Sequence, residues 1–133
     1  MIIDASVWVS MLSDTEVNYQ SSRRWFRARL ARADDLMIPS LALAEVAGAI
    51  ARRQASIDAA LRAIDWMLQL PHLQVAPLHE GLAFQTADIA ATYRLRGADA
   101  VYVAAAAERA VPLVTWDGEL LQRAASIVDV TQP

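Results

Sequence analysis

The chain has 133 residues, enough for one domain with one good core, and 56% of them are hydrophobic with few Gly and Pro, which excludes a disordered or low-complexity segment. It has no cysteine, so disulfides, thiolate metal sites and cysteine nucleophiles are excluded, and its formal net charge of −3 argues against generalised attraction to nucleic acid. All twelve basic residues are arginine, which excludes a Walker-type phosphate loop and Schiff-base chemistry.

No uncharged apolar run reaches the roughly 18 residues that span a bilayer, and no basic segment precedes a hydrophobic one at the N-terminus. The expectation is a soluble cytoplasmic protein, one domain over residues 1–133, with no membrane partner.

In chain order, Met1 to Ile3 is a short β-branched strand, followed by Asp4 and an apolar helical segment spaced by Val7 and Met11. Glu16 to Ala33 reads as an arginine-rich amphipathic helix, and Leu36 to Ile38 as a strand that Pro39 ends. Ser40 is placed to cap a helix to about Gln54, and Ser56 to cap another that ends before Pro71. Leu73 to Ala76 is a third strand. Helices follow from about His79 to Leu95 and from about Ala98 to Arg109, with Gly97 as a left-handed stop between them. Pro112 to Thr115 is a strand, Asp117 to Ala124 a short helix, and Ile127 to Val130 a last strand. Short strands alternating with helices predict an α/β fold, a parallel sheet covered on both faces.

Four acids stand alone in otherwise uncharged, mostly apolar stretches: Asp4 in MIIDASVWVSMLS, Glu45 in LMIPSLALAEVAGAIA, Asp99 in GADAVYVAAAA and Asp117 in AVPLVTWDG. A carboxylate carried inward loses hydration and needs a partner. Capping alone would explain Asp117, and the helix dipole Asp99. Glu45 lies in mid-helix among Leu41, Val46 and Ala49, and Asp4 follows a buried strand, so neither has such an excuse. On the element order all four reach the carboxyl ends of the strands, where open α/β sheets bind ligands. Gly48, on the face of Glu45, would admit a close approach of backbone or ligand.

Two carboxylates about 5 Å apart at an effective dielectric near 20 repel by roughly 3 kcal/mol, so the cluster must hold protons or a cation. An all-oxygen set suits Mg²⁺ or Mn²⁺; His72 and His79 lie away from the acids, which disfavours zinc. Such a site at strand ends fits phosphoester hydrolysis. Ser6 and Thr115, each two residues from an acid, are placed to orient carboxylates or waters, or are ordinary hydroxyls of a helix start and a strand.

With MIIDASVWV, IPSLALAEV, YRLRGADAVYVAAA and LVTWDGELL in this order, the chain resembles PIN-domain proteins, and among them the VapC-type toxins of bacterial toxin–antitoxin pairs. The resemblance covers nearly the whole chain. It implies a single three-layer αβα domain with a five-stranded parallel sheet of order 3-2-1-4-5. It implies Mg²⁺- or Mn²⁺-dependent endoribonuclease activity, with Asp4, Glu45, Asp99 and Asp117 as catalytic acids and Asp4, Asp99 and Asp117 as metal ligands. It also implies a homodimer and inhibition by a cognate VapB-type antitoxin.

An RNA substrate calls for positive charge near the acids. Arg94 and Arg96, just before Asp99, are the first candidates, and Arg52 and Arg53, ending the Glu45 helix, the second. The arginines between Arg23 and Arg32 read as a solvated face with Trp25 and Phe26 turned to the core. The apolar surplus between Ser40 and Leu70 would suit a dimer interface. Two other functions stay open: a PIN-like module that binds RNA or protein without cutting, and a haloacid-dehalogenase-type phosphatase. The latter usually wants an acid where Ser6 stands, and a lysine.

Overall fold

Ile2 and Ile3, both fully buried, form β1, the central strand of a five-stranded sheet in the computed structural model, which describes residues 1–133. The strands are β1 (Ile2–Ile3), β2 (Leu36–Pro39), β3 (Leu73–Ala76), β4 (Leu113–Val114) and β5 (Val130–Thr131). The helices are α1 (Ala5–Leu12), α2 (Tyr19–Ala31), α3 (Leu41–Gln54), α4 (Ile57–Leu68), α5 (Glu80–Tyr93), α6 (Gly97–Arg109) and α7 (Gly118–Arg123).

Every strand pair is parallel, in the order β3-β2-β1-β4-β5, as the resemblance implied. Ile2 registers with Met37 on one side and Leu113 on the other, so strand order reverses at β1. The crevice at that reversal is the ligand position of open α/β sheets.

Helix α6 explains how so short a strand is fixed. Its residues from Ala100 to Ala106 are all buried, and four of those seven are alanine. Small side chains let the helix lie close to β1, β2 and β4, which it packs against. Trp8 and Tyr102, both fully buried, fill the remaining volume, and Trp8 meets Phe26 edge-on with ring centroids 5.1 Å apart.

Several expectations are corrected. The arginine-rich helix starts at Tyr19 rather than Glu16, because Glu16 lies in the preceding turn and pairs with Arg53. Ser40 holds the cap position with helical φ and ψ and makes no side-chain cap, whereas Ser56 accepts from the Ala59 amide as expected. Pro39 ends β2 from within, as its last residue, in register with Ala76. Gly97 is the first residue of α6, and the left-handed stop is Arg94, at φ 54°, whose amide bonds the Ala90 carbonyl. The last strand is shifted: Ile127 and Val128 still donate to the Ala124 carbonyl, so the chain extends only at Val130. No helix is long and apolar enough to cross a membrane.

Candidate active site at the carboxyl end of the sheet

Asp4 is fixed by the sheet itself. Its amide donates to the Val114 carbonyl (3.0 Å), continuing the β1–β4 ladder by one residue, and its side chain is only 6% exposed. It occupies the cap position of α1 but makes no side-chain cap, so its carboxylate is not spent on the helix. The hydroxyls of Ser6 and Thr115 both donate to its Oδ2, the latter at 2.7 Å. Each hydroxyl is oriented by a backbone amide that donates to it, Trp116 N–H to Ser6 Oγ (3.0 Å) and Asp117 N–H to Thr115 Oγ1 (2.9 Å). The turns after β1 and β4 are therefore joined through one carboxylate oxygen. Burial pushes the Asp4 carboxyl up, while the Ser6 and Thr115 hydroxyls and the backbone of Ser6 and Ala5 favour its ionised form.

Asp117 caps α7: its Oδ1 accepts from the amides of Glu119 (2.7 Å) and Leu120 (3.2 Å), and Oδ2 is free of the cap. Asp99 lies in the first turn of α6, and its Oδ2 is buried with no hydrogen-bond partner. Its carboxyl is pushed up to about 6, first by burial, then by the charges of Asp117 and Asp4 and, more weakly, Glu45, with Arg96 opposing. Asp99 thus feels the charge of each of the other three acids.

Glu45, on the second turn of α3, accepts a hydrogen bond from the Tyr102 hydroxyl. Burial and that bond hold the phenol far above its ordinary range, so Tyr102 stays a donor to Glu45. Tyr102 escaped the sequence reading because a buried tyrosine in an apolar helix looks like core. Its three-residue spacing from Asp99, one helical turn, was the available signal.

No three His, Asp or Glu side chains stand close enough to form a ready-made ion cage. The set nevertheless fits a hard divalent cation. The partnerless Asp99 Oδ2 lies among carboxylates that raise its pKa, and every donor is oxygen. Asp4, Asp99 and Asp117 are the residues that could hold Mg²⁺ or Mn²⁺.

The arginines divide. Arg96 holds the cap position of α6 without a side-chain cap bond, and its charge acts on Asp99. Arg52 folds back so that a Cβ on Gly48 would lie 3.1 Å from its Nη1, and it lines a cleft with Glu45; Gly48 thus accommodates this side chain rather than backbone or ligand. Arg53 is paired with Glu16 at 2.6 Å. Arg94 is exposed, with its carbonyl held by Arg123. His79 caps α5 and pairs with Glu108, and His72 is exposed.

A groove of about 610 Å³ lies elsewhere, among Met11, Phe26, Ile50 and Trp66 with Arg23, Arg27 and Arg62 on its lining, and contains none of the four acids. The acid site is better identified by its chemistry than by groove size.

A family model for the PIN domain matches residues 1–126. Among solved structures, the chain is similar to VapC20 of Mycobacterium tuberculosis, described as a sarcin–ricin loop cleaving toxin, at TM-score 0.82 and 18% identity over 99% of this chain and 98% of that one. It is also similar to DNA-bound VapBC from Salmonella typhimurium (TM-score 0.73, 16% identity, 98% and 96% covered). A toxin–antitoxin complex from Klebsiella pneumoniae follows at TM-score 0.71 and 15% identity, with 98% and 94% covered. No curated protein matches by sequence.

Proposed function

The chain belongs to the PIN-domain family, and from that premise we propose that it is a divalent-cation-dependent endoribonuclease and the VapC-like toxin of a type II toxin–antitoxin pair. The observation that carries the proposal is the convergence of Asp4, Glu45 and Asp117 on Asp99, whose buried Oδ2 has no partner.

When bound at Asp4, Asp99 and Asp117, Mg²⁺ or Mn²⁺ supplies positive charge against the phosphate and acidifies a water. The chain's own residues do the rest. Ser6 and Thr115 favour the ionised form of Asp4 against its burial and fix its direction at Oδ2. Tyr102 fixes Glu45, which faces the adjoining cleft and is the carboxylate available to orient the attacking water or take its proton. Arg96, beside Asp99, and Arg52, beside Glu45, offer charge to flanking phosphates. Arg94 and Arg53 complete that basic rim in this reading, Arg53 once released from Glu16.

The groove near Trp66, lined mostly by apolar side chains together with Arg23, Arg27 and Arg62, suits an amphipathic antitoxin helix with acidic flanks. Exposed Ile57, Leu61 and Leu68 on α4 are consistent with a homodimer. We take residues 1–133 as one PIN domain acting in the cytoplasm.

Purified protein incubated with structured RNA should cleave it with Mg²⁺ or Mn²⁺, not in EDTA, and not as Asp4→Asn. RNA binding without cleavage under either metal would replace this reading by a non-catalytic module. Cleavage indifferent to EDTA would remove the cation from it. Growth arrest on expression, relieved by a co-expressed antitoxin, tests the toxin role.

A further inference from the structure

A second cleft, of about 460 Å³, opens beside the acids and shares two walls with them. Ser6 bonds Asp4 and Glu45 accepts from Tyr102, yet both also line this cleft. Whatever occupies it lies beside Ser6 and Glu45. Its volume falls within the ordinary range of small-ligand sites.

Trp116 lines the same cleft, and its position is tightly set. Its backbone N–H is held by Ser6 Oγ, and its indole N–H donates at 2.8 Å to Ser22 Oγ, a fully buried hydroxyl that is itself 2.6 Å from Ser10 Oγ. The ring's one donor is therefore satisfied inward. What remains for the cleft is apolar π surface held in a fixed orientation, in a lining that also includes the small side chains Ala44 and Ala49. Pinned aromatic faces beside cationic side chains are what single-stranded nucleic acids stack upon.

Asn18 supplies a second, separate observation. It holds the cap position of α2 but makes no side-chain cap bond, and it lines the cleft. Its carboxamide, with one acceptor and two donors, is unspent by the fold and matches the hydrogen-bonding edge of a base. Exposed Arg52 on the α3 side provides charge for a phosphate.

We propose that this cleft is a nucleobase subsite in which Trp116 stacks the RNA base next to the scissile phosphate and Asn18 reads its edge. The inference rests on the ribonuclease reading for its position relative to the cut, but not for its occupant. Trp116 here is a positioning and specificity residue, not a catalytic one.

The test compares Trp116→Phe with Trp116→Leu in the Asp4→Asn background, in EDTA, using a fluorescein-labelled random-sequence RNA hexamer and fluorescence anisotropy. Both variants lose the bond to Ser22 and keep apolar bulk; only Phe keeps a π face. Phe should bind within about threefold of its parent and Leu about tenfold more weakly, with matching melting curves. Equal affinities of the two folded variants would overturn the stacking role. Asn18→Ala, in the same background, should change the ratio of affinities for U, C and A hexamers by about threefold or more; an unchanged ratio would overturn the edge reading. Should wild-type protein bind RNA and never cut it, the nuclease reading fails while these comparisons still decide the subsite.

Discussion

Replacing Asp99 by asparagine should stabilise the protein in the absence of divalent cations while abolishing cleavage. The carboxyl moves from an ordinary 3.8 to about 6 in the fold, so folding favours its protonated form. Below pH 3.8 it is protonated folded and unfolded, and costs nothing. Between 3.8 and about 6 the unfolded state ionises first, and stability is lost as pH rises; above about 6 the whole penalty stands. That interval corresponds to about 3 kcal/mol, and the partial exposure of Asp99 reduces it by solvent screening to about 1–1.5 kcal/mol. Against this stands the favourable position of an acid in the first turn of α6, worth about 0.3–1 kcal/mol. The ionisation penalty, burial first and repulsion second, outweighs this by up to about 1 kcal/mol, or up to about 4 °C in melting temperature for a domain of this size. Thermal unfolding in EDTA should show the gain at pH 7.5 and almost none at pH 4. Adding Mg²⁺ should raise the melting temperature of the wild type far more than that of the variant. A variant less stable than wild type at pH 7.5, or a difference that ignores pH, would refute the account and leave Asp99 as a helix-dipole residue.

Further predictions follow from the hydrogen bonds around the other acids. Thr115→Val leaves buried Asp4 and the Asp117 amide short of a partner, and should cost about 1–3 kcal/mol in urea unfolding and weaken Mg²⁺ binding in calorimetry about tenfold or more. Tyr102→Phe keeps the ring but frees Glu45; it should destabilise by about 1 kcal/mol, given the partial exposure of Glu45, and lower the initial cleavage rate about tenfold. Asp117→Ser retains a good helix cap without the acid, so the unfolding midpoint should hold within about 0.5 kcal/mol while cleavage falls at least about a hundredfold. Equal loss of stability and activity in that variant would mean that Asp117 acts only through α7.

The parallel α/β class was legible because short strands alternating with helices allow few topologies, whereas the strand order came only with the resemblance; the four acids drew attention because a lone carboxylate in an apolar stretch has few physical explanations. Boundaries failed where tertiary bonds decide them. The retained turn at Ala124 delays β5, and the Glu16–Arg53 pair, 37 residues apart in sequence, is not a local signal. The left-handed stop went to Gly97 by propensity, yet all the left-handed residues here are non-glycine: Ala33, Ala55, His72, Arg94 and Ala110. At the site, spacing found Ser6 and Thr115 but passed over Trp116, which lies between Thr115 and Asp117. A residue acting through its backbone on one side and its ring on the other leaves no mark in a pattern of polar spacing.

The acids also divide their oxygens between holding the fold and leaving chemistry available. Asp117 spends Oδ1 on the first turn of α7 and leaves Oδ2 outside the cap. Asp4 gathers two hydroxyls on Oδ2 and so joins the turns after β1 and β4. Asp99 leaves Oδ2 buried and without a partner in the protein, a cost that a bound cation or a proton would relieve. Truncating Asp4 or Asp117 to alanine would therefore mix structural and chemical losses. The isosteric and cap-preserving substitutions separate them, because each removes the charge while keeping the shape or the bond that the backbone needs.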